Sequence, residues 1–324
     1  MKWGIFIDVI TFHIEKIQGK KDKKDTTKKE SGIRFAAYCF GKKYYNEVLG
    51  RTVGNYRNDV VHSETILPEN APDKYKDWRV LWDETEALEQ NKNRNVKKDC
   101  RYMRAIYCAF PIELDLKIQI RMLREYVQGN FVNICMCAST VIHDNGKGNP
   151  HAHILLPLRA LDKNGNWLDK QKKNYILDEN GNKIYDPVKR QYKCGRSIQV
   201  NDWDNPKNAE KWRESWARIC NRELELHGFD KRVTHLSYER QGSDQIPTIH
   251  LGPQVAAMEQ RGIRTDYGNY NRNVKVENRK RKRLQKTIPG YAELPQKKQV
   301  KKRRRDIYQN RQRPERGFIR TRNE

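Results

Sequence analysis

The sequence predicts an α+β fold, because segments with the apolar pattern of strands are interspersed with segments that have helical spacing. Residues 5–14 and 105–110 are apolar and have the pattern of strands. Residues 131–142 and 151–158 are rich in strand formers and are separated only by the polar turn at 144–150, so we expect an antiparallel hairpin. With 324 residues, the chain is long enough to bury a substantial core.

Four helices are predicted from apolar residues three and four positions apart and from signals at the helix ends. The first covers residues 31–43, and the second is capped by Asp77. The third covers residues 115–128, and Gly129 is expected to end it in a left-handed conformation. The fourth begins with Pro206, whose missing N–H is not needed in the first turn of a helix. We expect the apolar faces of these helices to form the core.

The chain carries a net charge of +25, which favours a polyanionic partner. Nucleic acid is the favoured partner, ahead of a membrane surface or a ribosome. Residues 271–324 hold 20 lysines and arginines against five acidic residues, and thus 15 of the 25 net positive charges. They contain few apolar residues, so we expect a basic arm that is disordered or helical. The predicted organisation is a folded domain over residues 1–270, followed by this arm.

Neither a membrane span nor a disulfide framework is expected. No stretch of the sequence reaches the roughly 18 consecutive apolar residues that a membrane span requires. The seven cysteines are scattered without a C-x-x-C pair, which is typical of reduced thiols in a cytosol. We therefore expect a cytoplasmic protein that has no membrane partner.

The predicted hairpin carries histidines at a spacing that is typical of a metal site. Side chains two positions apart on a strand point to the same face, so His151 and His153 project together. His143 ends the preceding strand, and pairing across the turn would bring it next to the other two. Three neutral imidazoles with open coordination positions suit Mn²⁺, Zn²⁺, Co²⁺, Ni²⁺ or a loosely held Mg²⁺. The alternative is that these histidines are packing residues.

A phosphate bound at such a site needs a nucleophile. A tyrosine suits strand transfer, because its phosphodiester conserves the energy of the broken bond. A divalent ion would polarise the phosphate and hold it in line with the phenol. The chain has 16 tyrosines, so chemistry alone does not choose among them.

Several segments, taken together and in one order, resemble those of the MobA/MobL relaxases of mobilisable plasmids. The resemblance extends over residues 10–270, and it is specific as a set although no single segment is. The segments are Ala36-Ala37-Tyr38, 62–68 (HSETILP), 109–114 (AFPIEL), Ile142-His143-Asp144, 148–153 (GNPHAH), 238–242 (YERQG), 249–253 (IHLGP) and 258–265 (MEQRGIRT).

The resemblance implies the fold of the HUH endonucleases, a central antiparallel sheet flanked by helices, with the catalytic tyrosine N-terminal to the histidines. Matched residue by residue, it implies Tyr38 as the nucleophile. It likewise implies His143, His151 and His153 as ligands of a divalent metal ion, with Mn²⁺ or Mg²⁺ expected first. The implied activity is nicking and strand transfer on single-stranded DNA at an origin of transfer, which mobilises a plasmid or an integrative element. Accessory mobilisation proteins and a coupling protein are the implied partners.

The sequence departs from the family pattern at two positions next to the predicted metal site. Relatives commonly carry acidic residues at the positions that match Ala105 and Tyr107, where a carboxylate would orient the metal-binding histidines or accept the proton of the tyrosine. Glu64, Glu113 and Asp144 are left open as substitutes.

Two other functions remain open at this point. A rolling-circle replication initiator shares the chemistry but places its tyrosine after the histidines, where the candidates are Tyr175, Tyr185, Tyr192 and Tyr238. A non-catalytic DNA-binding protein would use the histidines for packing only, and the residues at positions 105 and 107 favour it. For the relaxase itself, Tyr44 and Tyr45 are the second choices of nucleophile.

Overall fold

The structure is a computed structural model that describes residues 7–18, 31–46, 50–89 and 100–287. These residues divide between His235 and Leu236 into two compact units. The predicted domain boundary at residue 270 stays a prediction. Most of the predicted basic arm, from residue 288 onward, lies outside the described residues.

A five-stranded antiparallel sheet forms the centre of the first unit. The strands of this unit are, in chain order, β1 (Ile7–Val9), β2 (Phe12–Gln18), β3 (Tyr44–Asn46), β4 (Arg51–Val53), β5 (Val60–Ile66), β6 (Arg101–Ala109), β7 (Ala138–His143), β8 (His151–Pro157), β9 (Gln171–Lys172), β10 (Tyr185–Asp186), β11 (Gln191–Tyr192), β12 (Ile198–Gln199) and β13 (Arg232–Thr234). The sheet has the spatial order β2-β6-β8-β7-β5, and every neighbouring pair in it is antiparallel. The predicted hairpin is confirmed as β7 and β8, and β8 is the central strand.

Helices cover both faces of this sheet. In chain order the helices are α1 (Gly32–Phe40), α2 (Trp78–Ala87), α3 (Leu116–Asn130) and α4 (Pro206–Leu226) in the first unit, and α5 (Gly252–Gln260) and α6 (Asp266–Thr287) in the second. Because side chains alternate along a strand, the sheet presents two apolar faces. Helices α1 and α2 pack on the face that carries Val141 and Leu155. Helices α3 and α4 pack on the face that carries Ile142 and Ile154, which completes the predicted α+β arrangement.

Helix α3 runs past the glycine that was expected to end it. Gly129 lies inside the last turn, and the helix continues to Asn130. The N–H of Phe131 then donates to the carbonyl of Val127 at 3.0 Å, and the Phe131 side chain is fully buried. Burial of an aromatic ring, and not the left-handed conformation of a glycine, decides where this helix ends. The prediction for Gly129 was wrong.

Some strand boundaries also differ from those predicted. The strand expected over residues 131–142 begins only at Ala138, because Cys135 adopts a left-handed φ of 64° that a strand does not accommodate. The segment 5–14 forms two strands, of which β1 pairs in parallel with β13 outside the main sheet. The strand expected over residues 105–110 is longer at its beginning, as part of β6. Local propensity located these strands correctly but did not give their lengths.

Both ends of helix α1 are held by specific hydrogen bonds. Ser31 caps the helix, since its hydroxyl oxygen accepts from the N–H of Arg34. The buried carboxylate of Glu86 accepts from the hydroxyl of Ser31 and from the N–H of Ile33, both at 2.8 Å. At the other end Gly41 adopts a φ of 61°, which terminates the helix. The last turn of α1 is therefore held in a defined place beside the sheet.

Between β8 and α4 the chain forms an exposed ribbon of short strands. Strand β9 pairs with β12, and β10 pairs with β11. Gly165 and Gly181 form turns of the ribbon, with left-handed φ values of 80° and 82°. The ribbon contributes little to the core, since most of its residues are exposed.

The second unit contains helices α5 and α6. The side-chain amides of Asn271 and Asn278 on α6 bond to the backbone of Ile249 and Ile246, respectively, at 2.8–2.9 Å. Helix α6 extends from Asp266 across position 270, so the beginning of the predicted basic arm is helical. In the part of the chain that the structure describes, no helix has the length and apolar character needed to cross a membrane.

We expect Glu86→Ala to destabilise the first unit, because the substitution leaves the hydroxyl of Ser31 and the N–H of Ile33 buried without an acceptor. The expected loss in the free energy of unfolding is about 1–3 kcal/mol, measured by urea denaturation. The control is Glu69→Ala, which removes the same group from an exposed position. Equal stability of the two variants would contradict the capping role of Glu86.

Candidate functional site

Three histidines from the central hairpin form one cluster. Antiparallel pairing of β7 with β8 places His143 directly opposite His151, and His153 follows two positions later on the same face. The ring centroids lie 4.8–5.3 Å apart. One nitrogen from each ring lies within 4.8 Å of the corresponding nitrogens of the other two. The structure thus brings together the three histidines that the sequence predicted as metal ligands.

Backbone carbonyls orient two of the imidazoles. The Nε2–H of His143 donates to the carbonyl of Cys39 at 2.6 Å, and the Nδ1–H of His151 donates to the carbonyl of Asn149 at 2.8 Å. A carbonyl only accepts hydrogen bonds, so each contact specifies which ring nitrogen carries the proton. The other nitrogen of His143, Nδ1, is buried and finds no hydrogen-bond partner within the described part of the chain. An unpartnered imidazole nitrogen inside a histidine cluster fits a metal ion.

The environment of the cluster keeps the imidazoles neutral. Burial lowers the pKa of His143 and of His151 below the usual histidine value. Burial and the two neighbouring histidines lower the pKa of His153 to about 3. Neutral imidazole is the form that donates a lone pair to a divalent cation. The donor set and its protonation state therefore both suit a metal centre.

Within the described residues, none of the three carboxylates proposed as substitutes for the missing acidic residues on β6 bonds to the histidine rings. Tyr107 packs its ring against His151 at a centroid distance of 4.6 Å and against the edge of His153 at 5.5 Å. Among the proposed substitutes, Glu64 is held by Arg124 on the α3 side of the sheet, away from the histidines.

The other two proposed substitutes are also engaged elsewhere. Glu113 pairs with Lys231, and Asp144 accepts from the N–H of Gly146 in its own turn. The orienting role of a carboxylate is thus taken by main-chain carbonyls for His143 and His151.

Tyr38 lies in the last turn of α1, and this turn contacts the histidine cluster. The residue that follows it, Cys39, supplies the carbonyl that binds His143. The Tyr38 side chain is 46% exposed, although its neighbours in the helix are buried. The guanidinium of Arg57 lies over the Tyr38 ring, 4.7 Å from its centroid. The structure therefore presents an accessible phenol at the helix end that contacts the cluster.

The second-choice tyrosines are placed differently. The hydroxyl of Tyr44 is hydrogen-bonded to the carboxylate of Asp83, and Tyr45 is exposed on β3. The later tyrosines of the ribbon contact one another and the ammonium of Lys183; they are Tyr175, Tyr185 and Tyr192.

Sequence reasoning missed Arg57 and Asp59. The guanidinium of Arg57 donates two hydrogen bonds to the carboxylate of Asp59, at 2.8 and 2.5 Å. This pair lowers the pKa of Asp59 to about 2, mainly through the hydrogen bonds from Arg57. The charges of both residues also act on all three histidines. A possible signal was the R-x-D pattern immediately before β5, the strand that pairs with the end of β7.

An antiparallel sheet covered by helices on both faces, with histidines converging from its central hairpin, defines an HUH-type protein. The profile of the MobA/MobL family matches residues 30–261, which is most of the chain. The chain belongs to the MobA/MobL family.

Named relatives agree with this assignment. The chain is 34% identical over 266 residues to a probable mobilization protein MobA of Bifidobacterium longum. The aligned region covers 76% of this chain and 46% of the relative. It is 31% identical to a conjugal transfer protein TraA of Agrobacterium fabrum, over 73% of this chain and 21% of the relative. The chain thus corresponds to less than half the length of these relatives.

A solved structure has the same fold. It was solved in work on the molecular basis of vancomycin resistance transfer in Staphylococcus aureus. The two structures superpose with a TM-score of 0.56 at 26% sequence identity, over 71% of this chain and all of the other. The predicted central sheet with flanking helices is confirmed.

We expect Mn²⁺ to raise the melting temperature of the protein, because an ion that binds only the folded state stabilises it by about 2.7 kcal/mol at 100 times its dissociation constant. His143→Ala and His153→Ala should weaken Mn²⁺ binding in calorimetric titration by at least about 10-fold, since even indirect support of a ligand is worth that much. The control is His227→Ala, whose ring bonds to the carbonyl of Glu223 on α4. Unchanged affinity in the first two variants would show that the cluster does not bind the ion.

Proposed function

We propose that this protein is a relaxase, which nicks one strand of DNA at an origin of transfer and starts the mobilisation of a plasmid or an integrative element. The observation that carries the proposal is the exposed phenol of Tyr38 on the helix end that contacts three neutral, clustered imidazoles. The relatives support it, since they are named as mobilization and conjugal transfer proteins.

The proposed reaction is a transesterification in which Tyr38 is the nucleophile. A bond forms between the phenol oxygen and the phosphorus, and the bond from phosphorus to the 3′ oxygen breaks. The phenol proton leaves, and the 3′ oxygen takes up a proton as it becomes a free hydroxyl. The products are a 5′-phosphotyrosyl DNA and a 3′-OH, so the number of phosphodiester bonds is conserved and the step is reversible.

His143, His151 and His153 are the proposed ligands of a divalent cation. When bound there, an ion such as Mn²⁺ or Mg²⁺ supplies a Lewis acid for the non-bridging oxygens of the phosphate. The protein's own contribution is to hold the rings neutral and oriented, through burial and through the carbonyls of Cys39 and Asn149. The ligands are therefore preorganised, so little rearrangement is needed when the ion and the phosphate arrive.

The proposed substrate is single-stranded DNA, and the charge distribution supports it. The net charge of +25 favours a polyphosphate, and the basic residues of α6 and of the sequence beyond it would neutralise phosphates without reading the bases. Accessory mobilisation proteins and a coupling protein are the proposed partners, and the cytoplasm is the proposed compartment.

The test is the formation of a covalent protein–DNA adduct. Purified protein is incubated with Mn²⁺ and with labelled single-stranded oligonucleotides that tile the DNA flanking the coding sequence. The adduct is detected by denaturing electrophoresis. We expect Tyr38→Phe to reduce adduct formation by more than about 1,000-fold, because the variant lacks the attacking oxygen. Tyr45→Phe is the matched control, an exposed tyrosine on the neighbouring strand β3, and should form the adduct normally.

Peptide mapping of the adduct separates the remaining functions. An adduct on Tyr38 supports the relaxase, whereas an adduct on a tyrosine C-terminal to the histidines would indicate a rolling-circle replication initiator. A non-catalytic binder would form no adduct with any oligonucleotide. Its DNA binding would be insensitive to a chelator and unchanged by His151→Ala combined with His153→Ala.

A further inference from the structure

We propose that Arg57, held by Asp59, is the positioning residue for the Tyr38 phenol. The inference rests on the proposed function, since it assigns a role in the reaction of Tyr38. Arg57 lies over the aromatic ring of Tyr38, with the guanidinium carbon 4.7 Å from the ring centroid. A guanidinium stacked on an exposed tyrosine restricts the rotation of its ring, which the helix alone does not do.

Asp59 restrains the guanidinium itself. Its carboxylate accepts hydrogen bonds from Nε and Nη2 of Arg57 at 2.8 and 2.5 Å. This bidentate contact fixes the plane of the guanidinium group. Both side chains are about four-fifths buried. This shielding from solvent distinguishes the pair from the surface ion pairs that contribute little.

The pair is also tied to the histidine strand. The backbone carbonyl of Asp59 accepts from the N–H of Asp144 at 2.8 Å, and Asp144 directly follows His143. In the sheet register, Val60 lies opposite His143. The backbone that carries Arg57 is therefore attached to the end of β7, at the point where the first histidine of the cluster is held.

The end of helix α1 packs directly on Arg57. A Cβ atom added to Gly41 would lie 2.9 Å from the Cβ of Arg57, so only a glycine allows this close approach. Arg57 thus lies between the helix that carries Tyr38 and the strand that carries His143. It links the phenol and the imidazoles by contacts that are independent of the Cys39 carbonyl.

This placement has a chemical consequence for the attack. The guanidinium carbon of Arg57 lies 4.7 Å from the centroid of the Tyr38 ring, so its positive charge is close to the phenol. A guanidinium is not deprotonated in proteins, so this charge is permanent. A fixed cation so close to the phenol stabilises the negative charge that develops on its oxygen, and an oriented ring keeps that oxygen in line with the phosphorus.

The test uses the full chain, Mn²⁺ and the oligonucleotide that gives the adduct with the wild type. We expect Arg57→Ala to lower the single-turnover rate of adduct formation at saturating DNA by about 100-fold, and Arg57→Lys by about 10-fold, because a misplaced nucleophile costs this much. DNA affinity should stay close to that of the wild type. Because breaking a buried ion pair lowers stability, the rates are compared at saturating Mn²⁺ and well below the melting temperature of each variant. Added guanidinium ion should restore part of the rate of Arg57→Ala and none of the rate of Tyr38→Phe.

Two further variants separate positioning from general structure. Asp59→Asn should lower the same rate, and the double variant with Arg57→Ala should be no slower than Arg57→Ala alone, since the two residues act as one unit. Arg124→Ala is the matched control, because Arg124 makes a similar bidentate contact with Glu64 on the other face of the sheet. It should form the adduct at the wild-type rate.

The possible failures are distinguishable. If the wild type forms no adduct with any oligonucleotide, the proposed function and this inference fail together. If the wild type reacts and Arg57→Ala reacts equally fast, only the inference fails. If Arg57→Ala loses DNA affinity in proportion to its rate, Arg57 anchors DNA and does not position the phenol, which also overturns the inference.

Discussion

The register between β7 and β8 is the constraint on which the whole site depends. It sets His143 opposite His151, and the alternation of side chains then turns His153 to the same face. A slip of one residue would turn the histidines of one strand into the apolar face that α3 and α4 cover. The register is stabilised by the residues that alternate with the histidines and bury themselves in that face. The hydrophobic core and the cluster are therefore specified by the same pairing.

The way in which the imidazoles are oriented connects the cluster to helix α1. Ala105 and Tyr107 provide no carboxylate beside the cluster, and the carbonyls of Cys39 and Asn149 accept the ring N–H groups. A carboxylate could move with its own side chain, but the Cys39 carbonyl moves only with the helix. The position of α1, held at its N-terminus by Ser31 and Glu86, thus affects the proposed nucleophile and a proposed metal ligand together.

In the proposed function, the groups for chemistry and the charge for DNA affinity belong to different parts of the chain. The clustered histidines, Tyr38 and the pair of Arg57 with Asp59 all belong to the first unit, where burial and a fixed backbone give them defined positions. The excess positive charge is concentrated after residue 270, in a segment of low apolar content. Phosphate neutralisation requires charge but little geometry, whereas in-line attack requires geometry. This division explains why a large net charge says little about the fold.

The sequence by itself determined the elements and the features that depend on near neighbours. The α+β class, the hairpin, the cap at Asp77 and the shared face of His151 and His153 follow from local periodicity and from signals at the helix ends. The family followed from the set of motifs. Only the tertiary structure decided which groups meet across long separations. The His143 ring and the Cys39 carbonyl lie 104 positions apart, and a carbonyl has no residue type that could mark it in a sequence. The contact of Arg57 with Tyr38, the extent of α3 beyond Gly129 and the late start of β7 likewise depend on packing between distant segments, which local propensity does not encode.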